Sequence, residues 1–312
     1  MKKYSNKRKG IFQSMNPSQK VILFFLVFLL IAIPITVLIS LQRTTFPSQA
    51  QVSQLFSIPT PVSSFGKAVS LNGTDSFAEI GNSENLDPQF GYTVEAWVKL
   101  NKFNPQASPD LGTENIYTVF GKGGYPPEMR LWMTVAPQGR NRFNINYFFD
   151  VSDKGRYPNS PQACYQGRGI DVMASNILTG TNQDVLKWRH LAGVIQPNGA
   201  MEVYVDGKKF AYSPKLNQVC PNTLNSKIGA VTLSSGFSPA QTKFLWDGLI
   251  DELRISNTAR YSTSFVPQRM PFIPDANTVA LYHFDNNLLD ASGNNYHGAV
   301  TGGITFVNNT LK

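Results

Sequence analysis

The stretch that decides the fold class is Trp188–Phe210, which reads WRHLAGVIQPNGAMEVYVDGKKF. Within it, Met201, Val203 and Val205 alternate with more polar side chains. A period of two residues is typical of a β-strand that buries one face. The Asn-Gly and Asp-Gly pairs that interrupt the stretch favour the tight turns of β-hairpins. The stretch therefore predicts successive antiparallel strands.

The same alternation recurs along the chain. In YTVEAWVKL, the apolar residues that share one face are Tyr92, Val94, Ala96, Val98 and Leu100. Further β-type runs are FAEI, RLWMTV, NRFNINYFF, HLAGVI, AVTLSS and LIDELRI. The sequence of this part shows no amphipathic helix of three turns. Many short strands without helices predict an all-β fold, a two-sheet antiparallel jelly-roll sandwich.

The N-terminal region has the pattern of a membrane anchor. Residues 1–20 contain six Lys or Arg and no acid, and residues 21–41 contain no charge at all. A helix of that length reaches roughly 30 Å, which is the thickness of a bilayer core. Because basic residues precede the span, we expect the N-terminus to lie in the cytoplasm. The pattern predicts a single-pass protein of the cell membrane, with a cytoplasmic tail (1–20), a transmembrane signal-anchor helix (21–41) and an extracellular remainder.

A cleaved secretory signal is the alternative interpretation of this region. Ser48, Gln49 and Ala50 have the small-x-small pattern of a cleavage site. The apolar run is longer than an ordinary signal peptide requires, which favours the anchor. Residues 42–64 are rich in Ser, Thr, Gln and Pro and are interpreted as a linker, followed by one domain at 65–312.

The net charge of +8 is unevenly distributed. Residues 1–43 hold seven of the 28 Lys and Arg residues, so the remainder has 21 basic residues against 20 acidic ones. The excess is a topology signal on the tail, and no nucleic-acid partner is expected. A charged fraction of 15% with 12% aromatic residues argues against a disordered chain.

Four segments together resemble the laminin G-like domains of the concanavalin A-like superfamily. They are residues 66–80 (GKAVSLNGTDSFAEI), 92–100, 188–210 and 244–255 (FLWDGLIDELRI). Residues 281–300 (LYHFDNNLLDASGNNYHGAV) are also similar to the family, although here they close the domain. The resemblance implies a jelly-roll sandwich whose loops bind carbohydrate or protein. It does not imply one activity, because this fold carries lectins, adhesion modules and glycosidases.

The resemblance also implies a structural Ca²⁺ ion at the rim, with Asp75 and Asp251 as ligands. Asp251 has the strand parity of Leu249, Leu253 and Ile255, and a bare carboxylate on that apolar face would need a cation or several N–H donors. The alternative is that both carboxylates cap turns and accept backbone hydrogen bonds.

No catalytic residue is expected. Retaining glycosidases use two nearby carboxylates, and the nearest pattern here is DGLIDE, residues 247–252. Adjacent Asp251 and Glu252 would point to opposite faces of a strand, so they would not act as a pair. The three His residues are scattered and are interpreted as structural.

Residues 150–169 lack a strand pattern and form the predicted ligand-binding loop. Its candidate ligand-binding residues are Arg156, Tyr157, Tyr165 and Arg168, whose rings and guanidinium groups suit sugars or protein partners. Outside the cell, Cys164 and Cys220 are expected to form a disulfide that tethers this loop. Two free buried thiols, and an ordinary insertion whose rings pack against the sandwich, are the alternatives.

The sequence thus predicts a membrane-anchored extracellular laminin G-like binding module, non-catalytic, for carbohydrate or protein ligands. A secreted polysaccharide-active enzyme, or its accessory carbohydrate-binding module, is the second hypothesis. A purely structural envelope component is the third.

Overall fold

The computed structural model describes residues 16–20, 65–106, 115–123, 129–137, 142–153, 169–210, 215–220, 223–233 and 240–311. The chain divides into two compact units, Met1–Pro61 and Val62–Lys312. In the first unit, residues 17–20 form one helical turn, and the predicted span at 21–41 lies outside the described residues. Within the described ranges, no helix is both long enough and apolar enough to cross a membrane.

The second unit is built from antiparallel strands. The strands of the first half are β1 (Lys67–Asn72), β2 (Phe77–Ile80), β3 (Tyr92–Leu100), β4 (Ile116–Lys122), β5 (Met129–Pro137), β6 (Phe143–Ser152), β7 (Gly169–Gly180) and β8 (Arg189–Ile195). Those of the second half are β9 (Met201–Val205), β10 (Lys208–Phe210), β11 (Ser226–Ile228), β12 (Val231–Leu233), β13 (Gln241–Lys243), β14 (Asp247–Ser256), β15 (Thr278–Tyr282), β16 (Ala299–Thr301) and β17 (Thr305–Asn308). The helical segments of this unit are two short turns, Glu84–Leu86 and Asn182–Val185, as far as the described ranges extend.

The strands form two large sheets. Sheet 1 has the order β10-β9-β8-β3-β14-β1-β17, with β15 paired to β14, and sheet 2 has the order β16-β2-β11-β4-β5-β6-β7. A two-stranded ribbon, β12-β13, lies outside both sheets. The prediction of an all-β sandwich of antiparallel sheets is confirmed, and the arrangement is consistent with a jelly roll.

The core lies between the two sheets and follows the predicted alternation. On β3 the five predicted inward residues are all at most 2% exposed, and Met201, Val203 and Val205 on β9 join the same cluster. Sheet 2 contributes the alternate residues of β5 and β6, from Met129 to Val151. Because a strand places successive side chains on opposite faces, this one pattern fixes the buried face of each strand.

The predicted strand–turn–strand unit at residues 66–80 forms, but its strands enter different sheets. β1 pairs with β14 and β17 in sheet 1, whereas β2 pairs with β11 and β16 in sheet 2. Gly73 takes a positive φ of 71° at the turn. The Asn72 side-chain oxygen accepts hydrogen bonds from the backbone N–H groups of Thr74, Asp75 and Ser76. The turn is therefore a crossover between the two layers of the sandwich.

A bulge in β14 overturns the predicted parity of Asp251. The register with β3 shifts between Asp251 and Arg254, and Glu252 takes a φ of 50°. Because of this shift, the inward-facing residues are Ile250 before the bulge and Leu253 after it, three positions apart instead of two. Asp251 therefore does not share a face with Leu253 or Ile255.

The outer face of sheet 1 carries polar side chains that are buried under a covering segment. We call residues 257–277, which follow β14, the strap. The strap packs Tyr261 and Phe265 against Tyr204 on that face. Glu95 lies beneath it and is fully buried. The sandwich thus has a third, irregular layer on one side.

The Glu95 carboxylate is the centre of this buried polar layer. Its Oε1 accepts hydrogen bonds from Arg254 Nε at 2.9 Å and Nη2 at 2.7 Å, and its Oε2 accepts one from the Tyr261 hydroxyl at 2.6 Å. The Nε2 atom of His190 lies 3.1 Å from Oε2. Burial raises the pKa of Glu95, but the His190 hydrogen bond and the Arg254 charge outweigh it and lower the pKa to about 2.

Candidate functional site

An open cavity of about 530 Å³ lies at the rim, where β3 leads toward β4 and β13 leads into β14. Its lining residues are Gly73, Lys102, Phe103, Asn104, Asn115, Ile116, Tyr117, Phe244, Leu245 and Asp247. Three aromatic rings, two amides, one carboxylate and one ammonium group therefore meet in one concavity. We call this cavity the rim pocket.

Asn115 organises one wall of the rim pocket. It is 5% exposed, and its amide nitrogen donates to the backbone oxygens of Asn104 (2.7 Å) and Val135 (3.1 Å). Its side-chain oxygen accepts from the Asn104 N–H at 2.9 Å and from the Tyr117 hydroxyl at 3.1 Å. One buried amide thus fixes the loop after β3 to the strands beside it, and a satisfied buried amide is a rigid support.

The aromatic rings of the pocket are held by edge-to-face contacts. The ring centroid of Phe103 lies 4.7 Å from that of Phe143, and Tyr117 lies 6.2 Å from the buried Trp246. Such pairs gain energy beyond simple burial. The rings therefore present fixed apolar surfaces to the pocket.

Phe244 has a strained backbone at the pocket wall. Its φ is 54°, a left-handed conformation that is costly for a bulky residue. Its carbonyl accepts a hydrogen bond from Thr118 N–H at 2.9 Å, and the Arg130 guanidinium lies 5.3 Å from its ring centroid. Strain that the surroundings enforce in this way is common at binding sites.

Arg130 belongs to a stack that runs across the outer face of sheet 2. Its guanidinium lies 3.8 Å from the Trp132 ring centroid, and Trp132 stacks on Phe148 at 4.0 Å with an interplanar angle of 13°. Asp150 fixes the other side of Arg130 through a 3.0 Å ion pair. The stack is therefore a rigid support behind Phe244.

Asp247 supplies the acid of the pocket. Burial raises its pKa, and Lys102, whose Nζ is 3.3 Å from Asp247 Oδ2, opposes that rise. A Cβ atom on Gly73 would lie 2.7 Å from the Asp247 Cβ, so only glycine fits beside this carboxylate. Burial and the Asp247 charge also raise the pKa of the Tyr117 hydroxyl, which therefore stays a neutral hydrogen-bond donor.

The predicted ligand-binding residues Arg156, Tyr157, Tyr165 and Arg168 lie outside the described residues. The strand ends that bound their segment, Ser152 and Gly169, pair with each other. Met129, at the start of β5, pairs with Val151 and so marks the end of sheet 2 that lies near this segment. The rim pocket is lined by Ile116, which lies at the opposite end of β4 and β5. The role predicted for the segment stays a prediction, and the pocket is a second site that the sequence did not reveal.

The predicted calcium ligands have separate partners in the structure. Asp75 accepts a hydrogen bond from the Asn72 amide at 2.7 Å. Asp251 accepts one from the Glu252 N–H at 2.8 Å and another from the Asn309 amide. Over the part of the chain that the structure describes, no group of three or more His, Cys, Asp or Glu is placed to hold a metal ion. Asp75 and Asp251 as calcium ligands, and the ion itself, stay a prediction.

Cys220 is buried and is not a free thiol, and its N–H donates to Ser152 O at 3.0 Å. Cys164 lies outside the described residues. Their pairing stays a prediction, although the Ser152 contact places Cys220 beside the end of β6.

Sequence reasoning missed Lys102, Phe103, Tyr117 and Phe244, and it considered Asp247 only as a catalytic candidate. The sequence did contain a signal, because aromatic and polar residues cluster at the ends of strands. They do so at the end of β3 (residues 100–104, LNKFN) and around the start of β14 (residues 243–248, KFLWDG). The pairing of those two loops could not be inferred, since more than 130 residues separate them.

The domain is thus an antiparallel β-sandwich with an aromatic and polar pocket at its rim. The family model of the concanavalin A-like lectin/glucanases superfamily, laminin G type, matches residues 72–264, which is more than half of the chain. The chain therefore belongs to this superfamily. No curated protein sequence matches the chain significantly.

Several solved structures are similar in fold. One is a Bacteroides ovatus ATCC 8483 protein whose suggested role is carbohydrate binding, with 18% identity, a TM-score of 0.48, and coverage of 78% of this chain and 60% of that one. Another is the CBM40 domain of a Ruminococcus gnavus IT-sialidase bound to α2,6 sialyllactose, with 10% identity, a TM-score of 0.41 and coverage of 64% and 95%. A third is the LG4-5 pair of the mouse laminin α1 chain, with 10% identity, a TM-score of 0.38 and coverage of 67% and 47%. The chain thus spans less than two thirds of the first and third structures.

Proposed function

We propose that the protein is a membrane-anchored binding module that presents its sandwich domain outside the cell and binds carbohydrate through the rim pocket. The observation that carries this proposal is the combination of fixed aromatic rings with Asp247, Lys102 and Asn104 in one open cavity. Sugars offer apolar C–H faces that stack on rings and hydroxyl groups that hydrogen-bond to carboxylates and amides. A protein ligand is the second class that such a pocket accepts.

The pocket chemistry suits binding better than hydrolysis. Cleavage of a glycosidic bond uses two carboxyl groups on either side of the bond. Among the described residues that line the pocket, Asp247 is the one acid, and Lys102 already pairs with it. We therefore propose a non-catalytic role. A hydrolysis screen on polysaccharides that found turnover, abolished by Asp247→Asn, would favour the polysaccharide-active enzyme instead.

Binding is expected to depend on Phe244 and Asp247. A glycan array with the full chain in detergent identifies the ligand, and titration calorimetry then measures its Kd. Phe244→Ala removes a ring from the pocket wall and is expected to weaken binding about tenfold, which corresponds to about 1.4 kcal/mol. Asp247→Asn is expected to weaken it further at neutral pH, because a charge-assisted hydrogen bond is lost.

The matched control for Phe244→Ala is Phe90→Ala, which removes an exposed ring beside Gly199, away from the pocket. This control is expected to leave the Kd unchanged. Equal losses in both variants, or full binding by Phe244→Ala, would show that the ligand does not occupy the rim pocket. The predicted ligand-binding segment around Arg156 and Tyr157 would then be the next candidate.

The remaining parts of the proposal rest on the sequence. We propose that residues 21–41 anchor the chain and that the linker at 42–64 holds the domain at the outer surface of the cell membrane. We propose that Cys164 and Cys220 form a disulfide that ties residues 154–168 to the end of β6. In an oxidising compartment such a bridge stabilises the fold mainly by restricting the unfolded chain.

For the Ca²⁺ ion, the expected result is a lower melting temperature after treatment with a chelator. Asp75→Asn would reproduce that shift without a chelator if the side chain is a ligand. Identical melting curves with and without chelator, and no calcium by elemental analysis, would contradict the predicted site.

A further inference from the structure

The strap is firmly held by its inward side chains. Phe265 stacks on Tyr261 with ring centroids 3.7 Å apart, and its N–H donates to Gly207 O at 2.9 Å. Phe272 is 3% exposed, and its N–H donates to Glu252 Oε2 at 2.6 Å. These anchors fix the conformation of the residues between them.

The same anchors force three apolar side chains outward. Val266 is 91% exposed, Met270 is 49% exposed and Ile273 is 78% exposed. Each lies next to or between the inward rings of Phe265 and Phe272, on a strap that covers the outer face of a sheet. A single exposed apolar residue is ordinary, but three within residues 266–273 are unusual, and we call these three side chains the patch.

The charges around this patch are basic. The strap carries Arg260, Arg269 and Asp275, and Asp275 forms a 2.8 Å ion pair with Arg260, so the strap has a net charge of +1. The exposed Lys208 lies on the strand after Gly207, the residue against which the strap is packed. Apolar side chains flanked by Lys and Arg match the interface of a membrane with anionic headgroups.

The chain enters the domain beside the same patch. The ring of Phe65, the first described residue of the domain, lies 6.0 Å from Trp97 in an edge-to-face contact. The Trp97 indole N–H donates to Gln268 O of the strap at 3.2 Å, and the Arg269 guanidinium lies 5.8 Å from the same ring. The first described residue of the domain therefore lies on the side that the strap covers.

We propose that the strap is a membrane-docking surface, in which Val266, Met270 and Ile273 enter the headgroup region of the same bilayer that holds the anchor. This inference rests on the proposed anchoring at residues 21–41. Docking turns the outer face of sheet 1 toward the membrane and restricts the orientations that the linker permits.

The test places a tryptophan reporter on the strap of the full chain. The variants Met270→Trp and Ile273→Trp are reconstituted into anionic liposomes with brominated acyl chains, and their emission is compared with that of the wild type. Val300→Trp is the control, since Val300 is 60% exposed but lies on β16 in sheet 2. Flotation of the same liposomes on a sucrose gradient reports whether the chain is anchored.

We expect the chain to float and the added emission at positions 270 and 273 to be quenched at least twofold more than at position 300. Two strap positions are used so that one poorly folded variant does not decide the result. Flotation with equal quenching at all three positions would overturn the docking surface and leave the anchor intact. A chain that does not float would overturn both. Cross-linked dimers without quenching would assign the patch to a second copy of the chain instead.

Discussion

Replacing Glu95 by Ala is expected to destabilise the domain by about 3–5 kcal/mol, measured as the loss in the free energy of urea unfolding. The substitution leaves the Arg254 guanidinium, 8% exposed, without its carboxylate partner. It also removes the acceptor of the Tyr261 hydroxyl, which helps to hold the strap. An uncompensated buried charge is among the most costly defects that a single substitution can create.

Two further variants separate charge from packing. The double variant Glu95→Leu with Arg254→Met removes both charges and is expected to recover much of the loss, since an apolar pair can replace a buried ion pair. Lys187→Ala breaks the exposed pair with Asp184 and should cost less than about 1 kcal/mol. If Glu95→Ala cost no more than Lys187→Ala, the buried network would not stabilise the fold as proposed.

The second large effect concerns the pH dependence of stability through Asp251. Burial raises the pKa of this carboxyl from 3.8 to about 8, with a further contribution from the Glu252 charge. In calcium-free buffer, the folded state between these two pH values binds a proton that the unfolded state has released. The free energy of unfolding therefore falls as the pH rises from about 4 to about 8, by at most about 1.4 kcal/mol per pH unit.

Asp251→Asn removes this ionisation and is expected to flatten that part of the pH profile. In the wild type the Asn309 amide donates a hydrogen bond to Asp251. Near pH 4 the variant should be slightly less stable than the wild type, because the new amide group at position 251 fits this donor less well than the carboxyl group does. Near pH 8 it should be more stable, by an amount on the order of 3 kcal/mol. Urea unfolding across pH 4–9 measures both ends of the profile.

The control for this profile is Val300→Ala, which alters an exposed side chain that does not titrate. Its profile is expected to run parallel to that of the wild type. A parallel profile for Asp251→Asn as well would mean that Asp251 does not hold its proton in the folded state.

The strands were predictable from the sequence because their signal is local. On β3 and β9 the period of two residues identified the buried residues one by one, and the structure confirms them. The parity of Asp251 failed for an equally local reason. A bulge inserts one extra residue into the strand. Here the bulge includes Glu252 at a positive φ, and a glutamate in the sequence does not indicate such a conformation. One extra residue moves each later side chain of the same strand to the face opposite the one that the alternation predicts.

The rim pocket could not be predicted because its walls are joined only by the fold. Lys102 and Asp247 form an ion pair across a separation of 145 residues. Their proximity results from the pairing of β3 with β14, which places Leu100 opposite Gly248. The position of the strap could not be predicted either. Its sequence has no strand pattern, so nothing in it indicated that it covers the buried polar layer around Glu95.

The pairing of β1 has a consequence for how the chain folds during its synthesis. Val69 pairs with Ile250 on one side and with Phe306 on the other, which is 237 residues further along the chain. During synthesis from the N-terminus, β1 emerges early, yet neither partner exists until most of the domain has been made. Its apolar residues Val69 and Leu71 stay exposed through that interval, and such segments are prone to aggregate. The nascent chain therefore needs protection until β17 closes the sheet, and β1 is where misfolding would begin.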